Sequence, residues 1–172
     1  MMMKLTMILT LGLGATWLAP SLEEPTHVAA SSVPWDPQPQ LPDALRRVVR
    51  WKTLIGFGDD AVPQKDLSFG ELELAPHAIY SGHLHPSPEM YYVLSGRIEW
   101  TLGDETFVAD PGTALYTPPN TVHRMVNLGD DVARAVWAWW APGGDASVMA
   151  TGYRLTEPVP AQSDAARFPD AR

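Results

Sequence analysis

The stretch GHLHPSPEMYYVLSG, residues 82–96, decides how this chain reads. It sets His83, His85, Glu89 and Tyr91 at the head of an apolar run that closes at Ser95-Gly96. In an extended strand, successive side chains point to opposite faces. His83 and His85 then share a face. Glu89, Tyr91 and Val93 share one too, with Met90, Tyr92 and Leu94 on the other. Pro86 and Pro88 bend the link between the two groups. The histidine pair and Glu89 can thereby converge on one point inside a barrel.

Downstream, GTALYTPPNTVHRMVN (112–127) adds His123 after a Pro-Pro-Asn turn. Neutral imidazoles with one carboxylate suit one divalent transition metal: Fe, Mn, Ni, Co or Zn. Three histidines and one glutamate leave open positions on an octahedral ion for water or substrate. Around these two stretches the chain reads as short strands: WKTLI, LSFGELELA, EMYYVL, RIEWTL, ETFVA, TALYT, TVHRMVN and VARAVWAWWA. Ser95-Gly96 between EMYYVL and RIEWTL is a hairpin signal. GYRLTE adds one more candidate strand, and Asp43 to Arg50 reads as a short helix with Asp43 as its N-cap. No helix-period stretch interrupts residues 51–142. The fold class is all-β, an antiparallel sandwich or barrel.

The bulk numbers agree. The chain has 172 residues, enough for one domain, with 45% hydrophobic and 19% charged residues. Its net charge of −8 disfavours phosphate backbones and anionic lipid, so no nucleic-acid partner is expected. The absence of cysteine excludes disulfides, thiolate metal sites and a Cys nucleophile. The apolar run Leu5–Ala19 is too short and glycine-dotted for a stable membrane span. With Lys4 before it and Val28-Ala29-Ala30 after it, residues 1–30 read as a signal peptide, which implies a periplasmic or secreted protein. The alternative is an N-terminal element of a cytoplasmic domain. Residues 31–47 are a proline-rich arm or linker. Residues 48–157 form the barrel, and 158–172 are a flexible tail.

The two His-bearing stretches resemble the paired motifs of the cupin superfamily. The first has the form HxH, three residues, E, six residues, G: His83, His85, Glu89 and Gly96. The second has the form G, five residues, PxN, two residues, H, three residues, N: Gly112, Pro118, Asn120, His123 and Asn127. The glycine directly before His83 departs from the usual start. The resemblance implies a small cupin, a double-stranded β-helix or jelly-roll barrel, with His83, His85, Glu89 and His123 as metal ligands. His27 and His77 fit no motif and read as surface or structural histidines.

Fold does not choose the chemistry. Tyr91 lies on the metal-facing side, either as a core residue that hydrogen-bonds a ligand or as a base. A nearby cation would lower its phenol from the usual ~10. Residues 48–140 are similar to the small cupin lyases that cleave dimethylsulfoniopropionate (DMSP). That resemblance implies a carbon–sulfur lyase with Tyr91 as the catalytic base and a carboxylate-bearing small molecule as substrate. A sulfonium is attracted to aromatic faces, and Tyr116, Trp137 and Trp139 are the expected substrate-binding rings, with Trp140 on the opposite face. The same indoles suit barrel core and an oligomer contact. Arg124 and Arg97 are the candidates for pairing with a substrate anion. Tyr153 is a further residue that could close over the site. The competing readings are another metal cupin enzyme (dioxygenase, decarboxylase or isomerase) and a non-catalytic small-molecule-binding cupin. A homodimer would cover the Trp-rich strand.

Overall fold

The computed structural model describes residues 27–57, 60–64, 66–141 and 152–169. Most of the expected signal segment therefore lies outside the described residues. The strands run in chain order as β1 (Val49–Gly56), β2 (Val62–Pro63), β3 (Leu67–Leu74), β4 (Ile79–Leu84), β5 (Glu89–Ser95) and β6 (Ile98–Leu102). β7 (Glu105–Ala109), β8 (Ala114–Thr117), β9 (His123–Asn127), β10 (Ala133–Trp140) and β11 (Arg154–Leu155) complete them. Two sheets result, ordered β2-β1-β3-β10-β5-β8 and β11-β4-β9-β6-β7. This is the all-β class that the strand pattern predicts, in the jelly-roll form that the cupin resemblance implies, with the core between the two inner faces.

Alternation sets which side chains reach that core. In β5, Glu89, Tyr91 and Val93 are buried, and Met90, Tyr92 and Leu94 are exposed. In β10, Ala133, Ala135, Trp137 and Trp139 are buried between less buried neighbours. Trp100 from β6 is fully buried, and its ring meets Tyr91 edge-on at 4.8 Å.

Three local expectations are corrected. β5 and β6 are not a hairpin. β5 pairs with β10 and β8, while β6 pairs with β7 and β9 in the other sheet. The Ser95-Gly96-Arg97 turn instead carries the chain from one sheet to the other. Gly96 takes φ 84° there, and a Cβ would press on Ala133. The helix is a single turn, α1 (Asp43–Arg46), whose N-cap is Pro42 rather than Asp43.

Finally, the arm and the tail both pack. Val33, Leu41 and Leu45 are buried, as are Ala166 and Phe168. Asp36 N–H donates to Trp51 O at 2.9 Å. The Gln38 amide, oriented to suit its neighbours, donates to Val49 O and accepts from Trp51 N–H. The arm thus satisfies the backbone of β1 where β2 does not reach. On the tail, Gln162 exchanges two hydrogen bonds with the backbone of Ile79.

Candidate metal centre and cavity

β4, β5 and β9 bring the motif residues together. The His83 Cα is opposite that of His123 across the β4–β9 ladder. Asn120 takes a left-handed φ of 58° and donates its N–H to His85 O at 2.8 Å, which joins the two motifs through backbone. Asn127, the last motif residue, never reaches the site. Its buried amide donates to Leu74 O, Ala75 O and Asp131 O and accepts from Gly129 N–H. It fastens the β9–β10 turn to the end of β3.

His85, Glu89 and His123 place one potential ligand atom each within 4.8 Å of one another, and all three are buried. His83 is buried beside them, its ring 4.0 Å from that of His123, but its ligand atom falls outside that tight group. The three rings are oriented alike. Nδ1 of His83, His85 and His123 faces the carbonyl of Ser81 (2.9 Å), Ser87 (2.8 Å) and Thr121 (3.0 Å). A carbonyl only accepts, so each Nδ1 carries the proton and each neutral ring keeps its lone pair on Nε2.

His85 Nε2 lies 2.9 Å and His123 Nε2 3.5 Å from Glu89 Oε2. Lone pairs at such distances from a carboxylate oxygen need a proton or a cation between them. His123 Nε2 is buried with no hydrogen-bond partner among the described residues. The donor set therefore fits a divalent transition ion.

Electrostatics point the same way. Burial alone would raise Glu89, but the His123 and His85 imidazoles beside it outweigh that and lower the carboxyl to about 2. His83 is driven well below its ordinary value, first by burial and then by His123. Both shifts favour a neutral His83 beside an ionised Glu89.

A cavity of about 600 Å³ opens onto His83, His85 and Glu89. Tyr91, Trp137 and Trp139 line it. Tyr116 and Arg124 do not. Tyr116 faces out from β8, half exposed and stacked on Trp140, because its neighbours Leu115 and Thr117 take the inner face. Arg124 follows inward-facing His123 and so points out, near Glu99 and Glu157. Arg97 is likewise exposed and bonded to Asp110.

Sequence reasoning missed Tyr80. Its ring stacks on His83 at 4.2 Å and its hydroxyl is 3.2 Å from that of Tyr153. Tyr80 and His83 are an odd number of residues apart, so simple alternation sends them to opposite faces. An irregularity in the β4–β9 ladder between them restores Tyr80 to the inside. Three phenols, Tyr80, Tyr91 and Tyr153, thus line one cavity. Burial and, for Tyr91, the Glu89 charge push Tyr80 and Tyr91 well above the ordinary phenol value. Tyr153 is pushed up to about 12, mainly by burial. Trp51 and Phe57 add to the aromatic walls, and the arm contributes Asp36 among other lining residues.

Known proteins agree with this architecture. Residues 70–139 match the cupin domain family. That stretch is a cupin domain. The DMSP lyase DddQ from Ruegeria pomeroyi superposes with a TM-score of 0.62 at 22% identity, over 73% of this chain and 62% of that one. Among curated relatives, the polyketide synthase CurC of Streptomyces cyaneus is 40% identical over 65 residues, 37% of this chain and 42% of that protein. The glucose-6-phosphate isomerase of Thermococcus litoralis is 29% identical over 104 residues, 46% of this chain and 55% of that protein. The chain thus spans about half or less of the length of these curated relatives. Among the described residues, no helix of this cupin is long and apolar enough to cross a membrane.

Proposed function

We propose that this cupin is a metal-dependent carbon–sulfur lyase that cleaves DMSP to dimethyl sulfide and acrylate. The observation that carries the reading is the cavity's composition. One wall holds His83, His85 and Glu89, with His123 buried beside them, Tyr91 sits on the same inner face, much of the remaining wall is aromatic, and no Lys or Arg is among the described lining residues. In this reading His83 joins the three as a fourth ligand. A bound ion supplies Lewis-acid stabilisation to a substrate carboxylate.

Tyr91 then takes the proton from the carbon next to the carboxylate. The electron pair of that C–H bond becomes the new C=C bond. The C–S bond breaks with its pair on sulfur, which leaves as neutral dimethyl sulfide. Buried beside Glu89, the Tyr91 phenol stays protonated at neutral pH unless positive charge offsets that carboxylate. Its activity as a base is therefore coupled to metal loading. Trp100 packs edge-on against Tyr91 and fixes its ring. The aromatic walls shield the reacting carbons from water.

DddQ shares this fold, and our reading extends its activity to this chain. A phosphorylated sugar is the poorer substrate here, since a phosphate would meet Glu89, Asp36 and Asp60 with no described cation on the lining. The test is headspace dimethyl sulfide from metal-reconstituted protein supplied with DMSP, beside Tyr91→Phe. Turnover above ~1 per second in the wild type, with at least a hundredfold loss in Tyr91→Phe, is expected. No gas from folded, metal-loaded protein removes the lyase reading.

A further inference from the structure

Asp36 is the cavity-lining carboxylate contributed by the proline-rich arm, and the motifs do not include it. Its backbone is tied to β1 by the Asp36 N–H to Trp51 O bond. Its side chain is tied too: Oδ2 accepts from Thr53 Oγ1 at 2.9 Å and Oδ1 from Thr53 N–H at 3.4 Å. Both partners are neutral, and no ion pair joins Asp36 to a Lys or Arg among the described residues. A half-buried carboxylate held rigidly on a cavity wall, with no cation to answer it, is an incomplete electrostatic pair.

The rings that line the same cavity favour the same missing charge. Phe57 and Trp139 stack at 5.6 Å, Trp51 stacks on Tyr80 at 6.4 Å, and all four line the cavity. The arm shows the matching chemistry with the chain's own cations. Arg50 and Lys52 lie over the Trp35 ring at 4.3 and 4.4 Å. These cations serve the outer side of β1, where Arg50 bonds Glu73 and Lys52 bonds Ala30 O. They leave the inner rings to a ligand.

We infer that Asp36, with the Trp51, Trp139 and Phe57 rings, forms a subsite for the onium end of the ligand, so that the arm selects a small cation carrying alkyl groups over a neutral group of the same shape. Burial, only partly offset by the Thr53 hydrogen bonds, and the nearby Asp60 charge raise the Asp36 carboxyl above its ordinary value, so a bound cation would favour its ionised form. Methylated sulfonium and quaternary ammonium heads fit this chemistry, because neither needs hydrogen bonds that the rings cannot give. The inference deepens the lyase reading by naming what holds the leaving group, but its test does not depend on turnover.

The test is equilibrium binding to zinc-loaded full-length protein, followed by tryptophan fluorescence and calorimetry. The probes are 3-(trimethylammonio)propanoate and its uncharged isostere 4,4-dimethylpentanoate, which share one carboxylate. The onium probe is expected to bind about tenfold or more tightly. Asp36→Asn, which keeps an oxygen for Thr53, should remove most of that preference and leave the isostere's affinity within about twofold. Asp36→Glu, which keeps the charge, should retain it. Equal affinity for the two probes, or equal loss for both in Asp36→Asn with an unchanged melting temperature, overturns the inference. Onium preference in a protein that releases no dimethyl sulfide supports the subsite and removes the lyase. Gas release without onium preference does the reverse.

Discussion

Gly70 shows how a single residue can hold a cavity wall in place. It lies in β3, between β1 and β10, on the inner face. A Cβ there would sit 2.0 Å from Lys52 O and 2.7 Å from the Trp137 ring. Neither neighbour can yield: one is ladder backbone, and the other is an indole whose Nε1 donates to Glu71 O. Gly70→Ala is therefore expected to cost about 2 kcal/mol and to lower the melting temperature by about 4–8 °C. Trp137 would be displaced into the cavity, which a shift in tryptophan emission would report. A wild-type melt and spectrum would mean that β1 and the Trp137 ring are not this close. A glycine inside a strand announces a close approach in the sequence, but the two partners are 18 residues upstream and 67 downstream by number, and only pairing register identifies them.

At the scale of elements, the arm is where sequence and structure part most clearly. Four prolines in SSVPWDPQPQLP read as a linker or an extended arm, because proline donates no ladder bond. The structure uses the residues between the prolines instead. Asp36 donates through its backbone and Gln38 pairs through its side chain, so the arm docks on β1 without being a strand. Gln38→Ala should strip Trp51 N–H and Val49 O of their partners. The expected cost is about 1–3 kcal/mol, with faster hydrogen exchange at the Trp51 amide than at Lys52. Unchanged exchange at Trp51 would mean the arm does not rest on that edge.

What was legible obeyed strict alternation. The inward set of β5 follows from period two and the approach of the histidine pair to Glu89 from the proline-bent link, while His123 came from the second motif. Arg124 was excludable by the same parity, being the neighbour of His123. Tyr80 was not legible, because the irregularity that turns it inward depends on β9. Nor was the fate of Ser95-Gly96, since a hairpin and a crossing between sheets share the same local turn signal.

The whole molecule couples this site to stability through protons. His83 is held neutral in the fold well below its ordinary value of 6.5, while the unfolded chain protonates it near that value. The unfolded state thus binds more protons, and stability present above pH 6.5 drains away as pH falls below it. Glu89 acts lower down. Its carboxyl titrates at about 2 in the fold against 4.5 unfolded, so its contribution is complete above 4.5 and is lost as pH falls towards 2. Both effects have the same sign, and the metal-free protein should lose melting temperature in two acid steps. Metal ions add a third dependence, because protons and the ion compete for the same imidazole Nε2 atoms. Zinc at about a hundred times its dissociation constant should add about 2.7 kcal/mol, or about 5–10 °C for a domain of this size, at pH 7.5. The increment should shrink towards zero by pH 5, and His123→Ala should abolish it at every pH. An equal zinc increment in His123→Ala would place the ion elsewhere on the protein, and an increment that does not depend on pH would mean that imidazoles do not hold it.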